Sequence, residues 1–295
     1  MRSLIHYYFL LCSTIIFAQH HTASSEVKVT LMNYKSYKEY KKLKDNKIDS
    51  LGFSVEKGDT IIQVRGYEIK GVQVAYEEKD SIFLERYKQL VFNKKYQKKE
   101  NKLLPRMRTW KNEIKIYFDQ SVNTYNKKKL TDFLQYIDKE VDSLKISFVK
   151  IKNESNYLIY SIQSSSDVNL DPRILNKEGY YLQWNGKQNI YACSLKINNQ
   201  LDLSKEEILT NTKILLVKSL GYFYNDYDNS NCTSYLSACK SDNKEFDERD
   251  LEILKYHYSY GICKGSDIET FEKNHKDAQD ALKRGSVKMY FIHQK

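Results

Sequence analysis

The chain has 295 residues, 41% of them hydrophobic and 13% aromatic, with only two prolines. This is enough apolar material for one large domain or two modest ones, so general disorder and long proline-rich linkers are excluded. The formal charge of +10 is carried by 40 Lys and only 8 Arg, and the lysines are interleaved with Asp and Glu along the whole chain. Nucleic-acid readers cluster Arg, whose planar guanidinium grips phosphate and guanine bidentately. A diffuse lysine charge describes a solvated surface instead, and no nucleic-acid partner is expected.

The first 19 residues, "MRSLIHYYFLLCSTIIFAQ", place Arg2 before a short apolar run and Ala18 at a small-residue cleavage point, the pattern of a secretory signal peptide. The run is too short for a membrane span. No later segment approaches spanning length, so no integral membrane segment is expected once the signal is removed. The expectation is an exported protein: periplasmic, cell-surface or extracellular. Export gives the cysteines left after Cys12 a meaning. Cys193, Cys232, Cys239 and Cys263 are an even number in an oxidising compartment, which implies two disulfides. Four cysteines allow three pairings. Cys232 and Cys239 flank the short loop "CTSYLSAC" and close most easily, which leaves Cys193 with Cys263. A zinc site built from them would need CxxC-type spacing, and it is missing.

Residues 25–104 are expected to form a small α+β accessory region. "EVKVTLM", "GDTIIQVRG" and "KGVQVAYEE" alternate as strands, and "DSIFLERYKQLVFNKKYQKKENK" is a helix fading into a charged tail. A boundary is expected at "LLPR". The pattern then sharpens over 105–265. "NEIKIYFD" is a strand. Leu130, Phe133, Leu134, Ile137, Val141 and Leu144 recur at helical spacing. "KISFVKI", "NYLIYSIQ", "GYYLQWN" and "NIYACSLKI" are strands, and two helices follow, "LSKEEILTNTKILLVKSLG" and "DERDLEILKYHYSYG". Residues 266–295 are a C-terminal extension. The fold class is α+β.

The first of those two helices carries the functional question. Ser204 and Glu207 fit a capping box. Gly221 is expected to take positive φ and stop the helix, and Asp247 and Asp250 to cap the next one. The stretch "KILLVKSLGYFYND" and the order strand, helix, strands, two helices resemble the zincin fold. In active members of that fold two His one turn apart and a Glu build a zinc site, and a Gly returns the chain so that a third His reaches the metal. Aligned on Gly221, the ligand positions hold Ile214, Leu215, Lys218 and Tyr224, none of which supplies an imidazole, thiolate or carboxylate. A closer likeness is to the secreted, zincin-like domain of unknown function 2927 family. "RTWKNEIKIYFD", "KSLG", "ND", "TSYL", "DERDLEILKYHY" and "GICKG" resemble its motifs, over about 106–265.

That resemblance implies a degenerate, zinc-free, zincin-like domain with no catalytic residues, no metal and no cofactor. Its cleft would be lined by Lys218, Tyr222, Tyr224 and Tyr235 and would suit a protein, peptide or glycan of the cell envelope. The alternative is a divergent secreted hydrolase with relocated catalytic residues. Of the remaining histidines, His257 reads as a helix-end group interacting with the helix dipole, and His275 with Glu272 as a solvated face.

Overall fold

The computed structural model describes residues 29–33, 38, 41, 50–56, 59–65, 72–96, 104–164, 166–176, 178–199, 203–228, 231–283 and 290–293. The signal peptide expected over 1–19 lies outside these residues. The chain divides into two compact units, 1–70 and 71–295.

In the first unit β1 (Val29–Asn33), β2 (Ser50–Glu56) and β3 (Asp59–Arg65) form an antiparallel sheet in the order β1-β3-β2. Strands β2 and β3 pair antiparallel, with Glu56 opposite Asp59. Strand β2 is not among the expected strands. Its apolar positions, Leu51, Phe53 and Val55, alternate with Gly52, Ser54 and Glu56, and residues with low strand propensity mask the period.

The second unit opens with β4 (Val72–Ala75), which pairs antiparallel with β11 (Tyr290–His293), the last strand of the chain. Helix α1 (Ser81–Phe92) follows, capped by Asp80, whose side chain accepts from the Phe83 N–H. Tyr87, Leu90, Val91 and Phe92 of α1 are buried in the same core as Ile114, Leu195 and Leu216. The helix expected in the accessory region therefore belongs to the larger unit, which begins well before the boundary expected at 104–105.

The main sheet contains β5 (Thr109–Trp110), β6 (Ile114–Phe118), β7 (Ile146–Phe148), β8 (Tyr157–Ile162), β9 (Gly179–Trp184) and β10 (Asn189–Asn198). The path runs β5-β10-β8-β6-β7, all parallel, while β9 pairs antiparallel on β10. The antiparallel β9 is therefore an edge strand. Helix α2 (Thr124–Glu140) crosses between β6 and β7. Its Leu130, Leu134 and Ile137 are fully buried, each contributing about 1.5–3 kcal/mol of transfer free energy. Helices α3 (Lys205–Ser219), α4 (Glu248–Tyr258) and α5 (Ile268–Lys283) complete the unit. The result is a mixed α/β architecture with a mostly parallel sheet and five helices among the described residues, compatible with the expected α+β class. No helix among the described residues is long and apolar enough to cross a membrane.

Cys232 and Cys239 form the expected disulfide. Cys193 and Cys263 do not pair and are free thiols. Cys193 sits on β10 opposite Tyr157 of β8, buried among strands, and burial pushes its thiol up to about 12.

Candidate functional site

Helix α3 begins as the sequence predicts. The Ser204 side chain accepts from the Glu207 N–H at 3.2 Å, and the Glu207 carboxylate accepts from the Ser204 N–H at 2.8 Å. Its end departs from expectation. The left-handed residue is Tyr222, at φ 55°, and Gly221 is not left-handed. Glycine is required at 221 for space. A Cβ there would lie 2.5 Å from Phe223 Cζ and 2.9 Å from His257 Nε2, closer than any real side chain tolerates. Backbone strain is thus carried by a tyrosine, whose ring is aimed by the turn.

Tyr222 packs against Trp184 at 5.5 Å and edge-on against Tyr224 at 5.5 Å. Arg108 inserts its guanidinium between these rings, with Cζ 4.0 Å from the Trp184 ring centre and 4.3 Å from that of Tyr222. Its Nε is buried and makes no hydrogen bond. Such stacked cation–π contacts are worth about 0.5–2 kcal/mol each, more as water is removed. Burial, together with the neighbouring Tyr222, pushes Tyr224 up. This Arg108–Trp184–Tyr222–Tyr224 cluster sits at the end of β9, whose Tyr181 and Trp184 are more than a third exposed.

The other expected cleft residues fall differently. Lys218 is partly buried, and its ammonium donates to Asn225 Oδ1 at 2.5 Å. Burial, with a smaller push from Lys244, lowers its pKa. Ile214 and Leu215 are partly buried and pack on the core. Tyr235 does not join Tyr222 and Tyr224. It is buried in a separate aromatic group with Phe133 at 6.2 Å and Phe246 at 6.0 Å. The structure therefore brings Tyr222 and Tyr224 together and assigns Tyr235 to packing.

The two helical histidines are core groups. His257 is fully buried. Its Nε2 donates to the Arg108 carbonyl at 2.9 Å, so Nδ1 accepts from the Tyr87 hydroxyl at 2.9 Å. Burial, reinforced by Lys264, lowers its pKa to about 3. His275 is also buried, between the Tyr256 hydroxyl at 2.8 Å and the Tyr76 hydroxyl at 3.1 Å, and burial lowers it to about 4. The expectations of a dipole-bound His257 and a solvated His275 are both corrected. Each imidazole is worth more to the core neutral, with both nitrogens satisfied, than charged at a helix end.

The loops "ND" and "TSYL" and the start of α4 meet in one polar network. Arg86 of α1 donates from Nε to Asp226 Oδ2 at 3.0 Å, and from Nη2 to Asp250 Oδ1 at 3.0 Å and Ser234 Oγ at 3.1 Å. Ser234 Oγ donates to Asp250 Oδ1 at 2.5 Å, and the Tyr235 N–H to Asp250 Oδ2 at 2.8 Å. Asp250 and Ser234 are fully buried. Asp247 alone caps α4, accepting from the Asp250 N–H, so Asp250 is a network acid and not the second cap expected. Burial raises its pKa against the opposing pull of Ser234 and Arg86.

Arg86, Arg108 and Trp184 are absent from the sequence-derived site. The available signal was the scarcity of Arg: in a chain with 40 Lys and 8 Arg, a retained guanidinium marks a place where a planar fork or a stacking cation is needed. Among the described residues no group of three or more His, Cys, Asp or Glu is placed to hold a metal ion. No known family model matches the chain, and no curated protein matches it in sequence.

Proposed function

We propose that the larger unit is a degenerate zincin-like domain of an exported protein, one that binds an extended segment of an envelope partner without cleaving it. The observation that carries this reading is the side-chain set at the former ligand positions. Ile214 and Leu215 pack on the core, Lys218 is tied to Asn225, and Tyr224 meets Tyr222 edge-on. None of these offers zinc a ligand. The order strand, helix, strands, antiparallel edge strand and two helices supports the zincin likeness, and the Cys232–Cys239 bridge supports an oxidising compartment.

Binding is favoured by β9. Its outer edge has no strand partner among the described residues, so its backbone can accept an added strand. Trp184, Tyr222 and Tyr224 beside it supply aromatic area for a peptide or for glycan stacking. The hydrolase alternative draws no support from Ser219. That hydroxyl is fully buried, donating to the Leu216 carbonyl and bonded to the Tyr157 hydroxyl at 2.6 Å, out of reach of a substrate.

The test is a binding screen of extended peptides and glycan oligomers with the purified mature protein, together with metal analysis and a peptidase assay. The expected result is saturable binding without hydrolysis, weakened about tenfold or more by Trp184→Ala. One tightly held zinc per chain with peptide cleavage, or binding unchanged by Trp184→Ala, overturns the reading.

A further inference from the structure

A cavity lies where the first turns of α2 and α3 converge, with no residue of β9 in its lining. It measures about 500 Å³ and is lined by Asn123, Tyr125 and Asn126 of α2's start, by Leu203, Lys205 and Ile208 of α3's start, and by Asn199. This volume falls within the range of small-molecule sites.

Four observations describe its chemistry. First, both helices exceed fourteen residues, so each presents unpaired N–H groups and a positive dipole end. At α2 the cap Asn123 takes only the Asn126 N–H, at 2.8 Å, and no acidic residue stands in that first turn. The N–H groups of Thr124 and Tyr125 have no intrahelical acceptor by helix geometry. Second, Asn126 is only 4% exposed, yet its side-chain amide has no hydrogen-bond partner among the described residues, and its exposed fraction opens into the cavity it lines. Third, Lys205 adds a cation at the rim. Fourth, Leu203, Ile208 and Tyr125 give one apolar wall; Leu203 and Tyr125 are both more than a third exposed. At α3 the dipole is offset by Glu206 and by Glu207, whose carboxylate is turned onto the Ser204 cap. The attraction for an anion therefore centres on α2's end, Asn126 and Lys205.

We propose that this cavity binds a small organic acid: its carboxylate at the α2 N-terminus against the Asn126 amide and Lys205, and its short apolar tail along Leu203, Ile208 and Tyr125. A carboxylate would accept from the Asn126 amide and the orphan N–H groups together. A neutral molecule of the same shape lacks the charge that the α2 dipole and Lys205 favour.

The proposal is tested by titrating sodium hexanoate, and separately hexan-1-ol, into the isotopically labelled mature protein at constant ionic strength, followed by amide NMR. The expected result is saturable hexanoate shifts at the Thr124, Tyr125 and Asn126 amides, with hexan-1-ol weaker by about tenfold. Lys205→Glu reverses an exposed charge without touching the core. It should weaken hexanoate about tenfold and leave hexan-1-ol unchanged. Asn126→Leu, with folding verified by circular dichroism, should abolish the hexanoate shifts at Thr124 and Tyr125. Hexanoate shifts that fail to saturate, that are matched by hexan-1-ol, or that persist in Lys205→Glu overturn the proposal.

Discussion

Arg86 shows how one side chain can hold three groups that lie more than a hundred residues from it in sequence. Asp226, Ser234 and Asp250 all meet its guanidinium within 3.1 Å. Asp250 is fully buried, so removing Arg86 would leave its carboxylate uncompensated. Arg86→Met is expected to cost about 3–5 kcal/mol, read as a fall in the urea midpoint at unchanged slope. A loss below about 1 kcal/mol would mean the network is incidental to stability. The histidines set a second residue-scale property. Both have folded pKa values, about 3 for His257 and about 4 for His275, below the ordinary 6.5. Below pH 6.5 the unfolded chain takes up protons that the folded chain refuses, so stability present at neutral pH drains away as pH falls from about 6.5 towards 4 and 3. Each unit of pH in that window costs about 1.4 kcal/mol per histidine. Stability measured by urea unfolding at pH 7 and pH 5 should show this loss. A variant carrying both His257→Asn and His275→Asn should be less stable at pH 7 but nearly flat between the two. An equal pH dependence in variant and parent would assign the acid sensitivity to other groups.

At the scale of elements, the loop between α3 and α4 is held by its disulfide as well as by the network. The bridge spans a sequence separation of 7, and its loss through Cys239→Ser is expected to cost about 2–3 kcal/mol. The same loop carries Ser234 and the Tyr235 N–H to Asp250. Reductant should therefore lower the thermal midpoint of the parent and not that of the variant, since Cys193 and Cys263 are already unpaired. The elements themselves were largely legible. The stripe of Leu130, Leu134 and Ile137, the capping box of Ser204 and Glu207, and the alternation of Ile114, Ile116 and Phe118 each encode their local structure directly. Strand β2 was hidden by glycine and serine, and the two-residue β5 is too short to show any period. The candidate site was legible only in part, for a different reason. Tyr222 and Tyr224 are close in sequence and were found together. Arg108 and Trp184 reach them only through the pairing of β5 and β9 on β10, which no local pattern reports. Tyr235 shares their chemistry, but its place is decided by Phe133 and Phe246 across the domain. Gly221 marks the turn in the sequence, but space and not a positive φ requires it there, and both demands favour the same residue.

At the scale of the whole molecule, the charge of +10 is carried mainly by lysines, most of which face solvent among the described residues, while Arg86 and Arg108 hold internal contacts. Lys79, Lys88 and Lys255 each reach an acid on another element, Glu252, Glu272 and Glu140 respectively. The exposed Lys255–Glu140 pair contributes little and weakens with salt, whereas Lys88 is itself buried. The pairs of Arg86 are more enclosed, whereas those of Arg173 and Arg249 lie at the surface. Substituting surface lysines is thus a means of changing association with anionic surfaces without disturbing the fold.

The pairing of β4 with β11 has a topological consequence. Val72 lies opposite His293, so the larger unit begins and ends on adjacent strands and its chain is almost a closed ring. The order in which a ring is read is arbitrary to its packing. A circular permutant joining His293 to Val72 by a short Gly-Ser linker, and opened at Gly186, where nothing lies within 4 Å of an added Cβ, is expected to fold to the same cooperative unit. Circular dichroism and a single urea transition would show it. A permutant that fails to fold, while one opened elsewhere on the surface succeeds, would mean that the β9–β10 turn must be continuous for the edge strand to form.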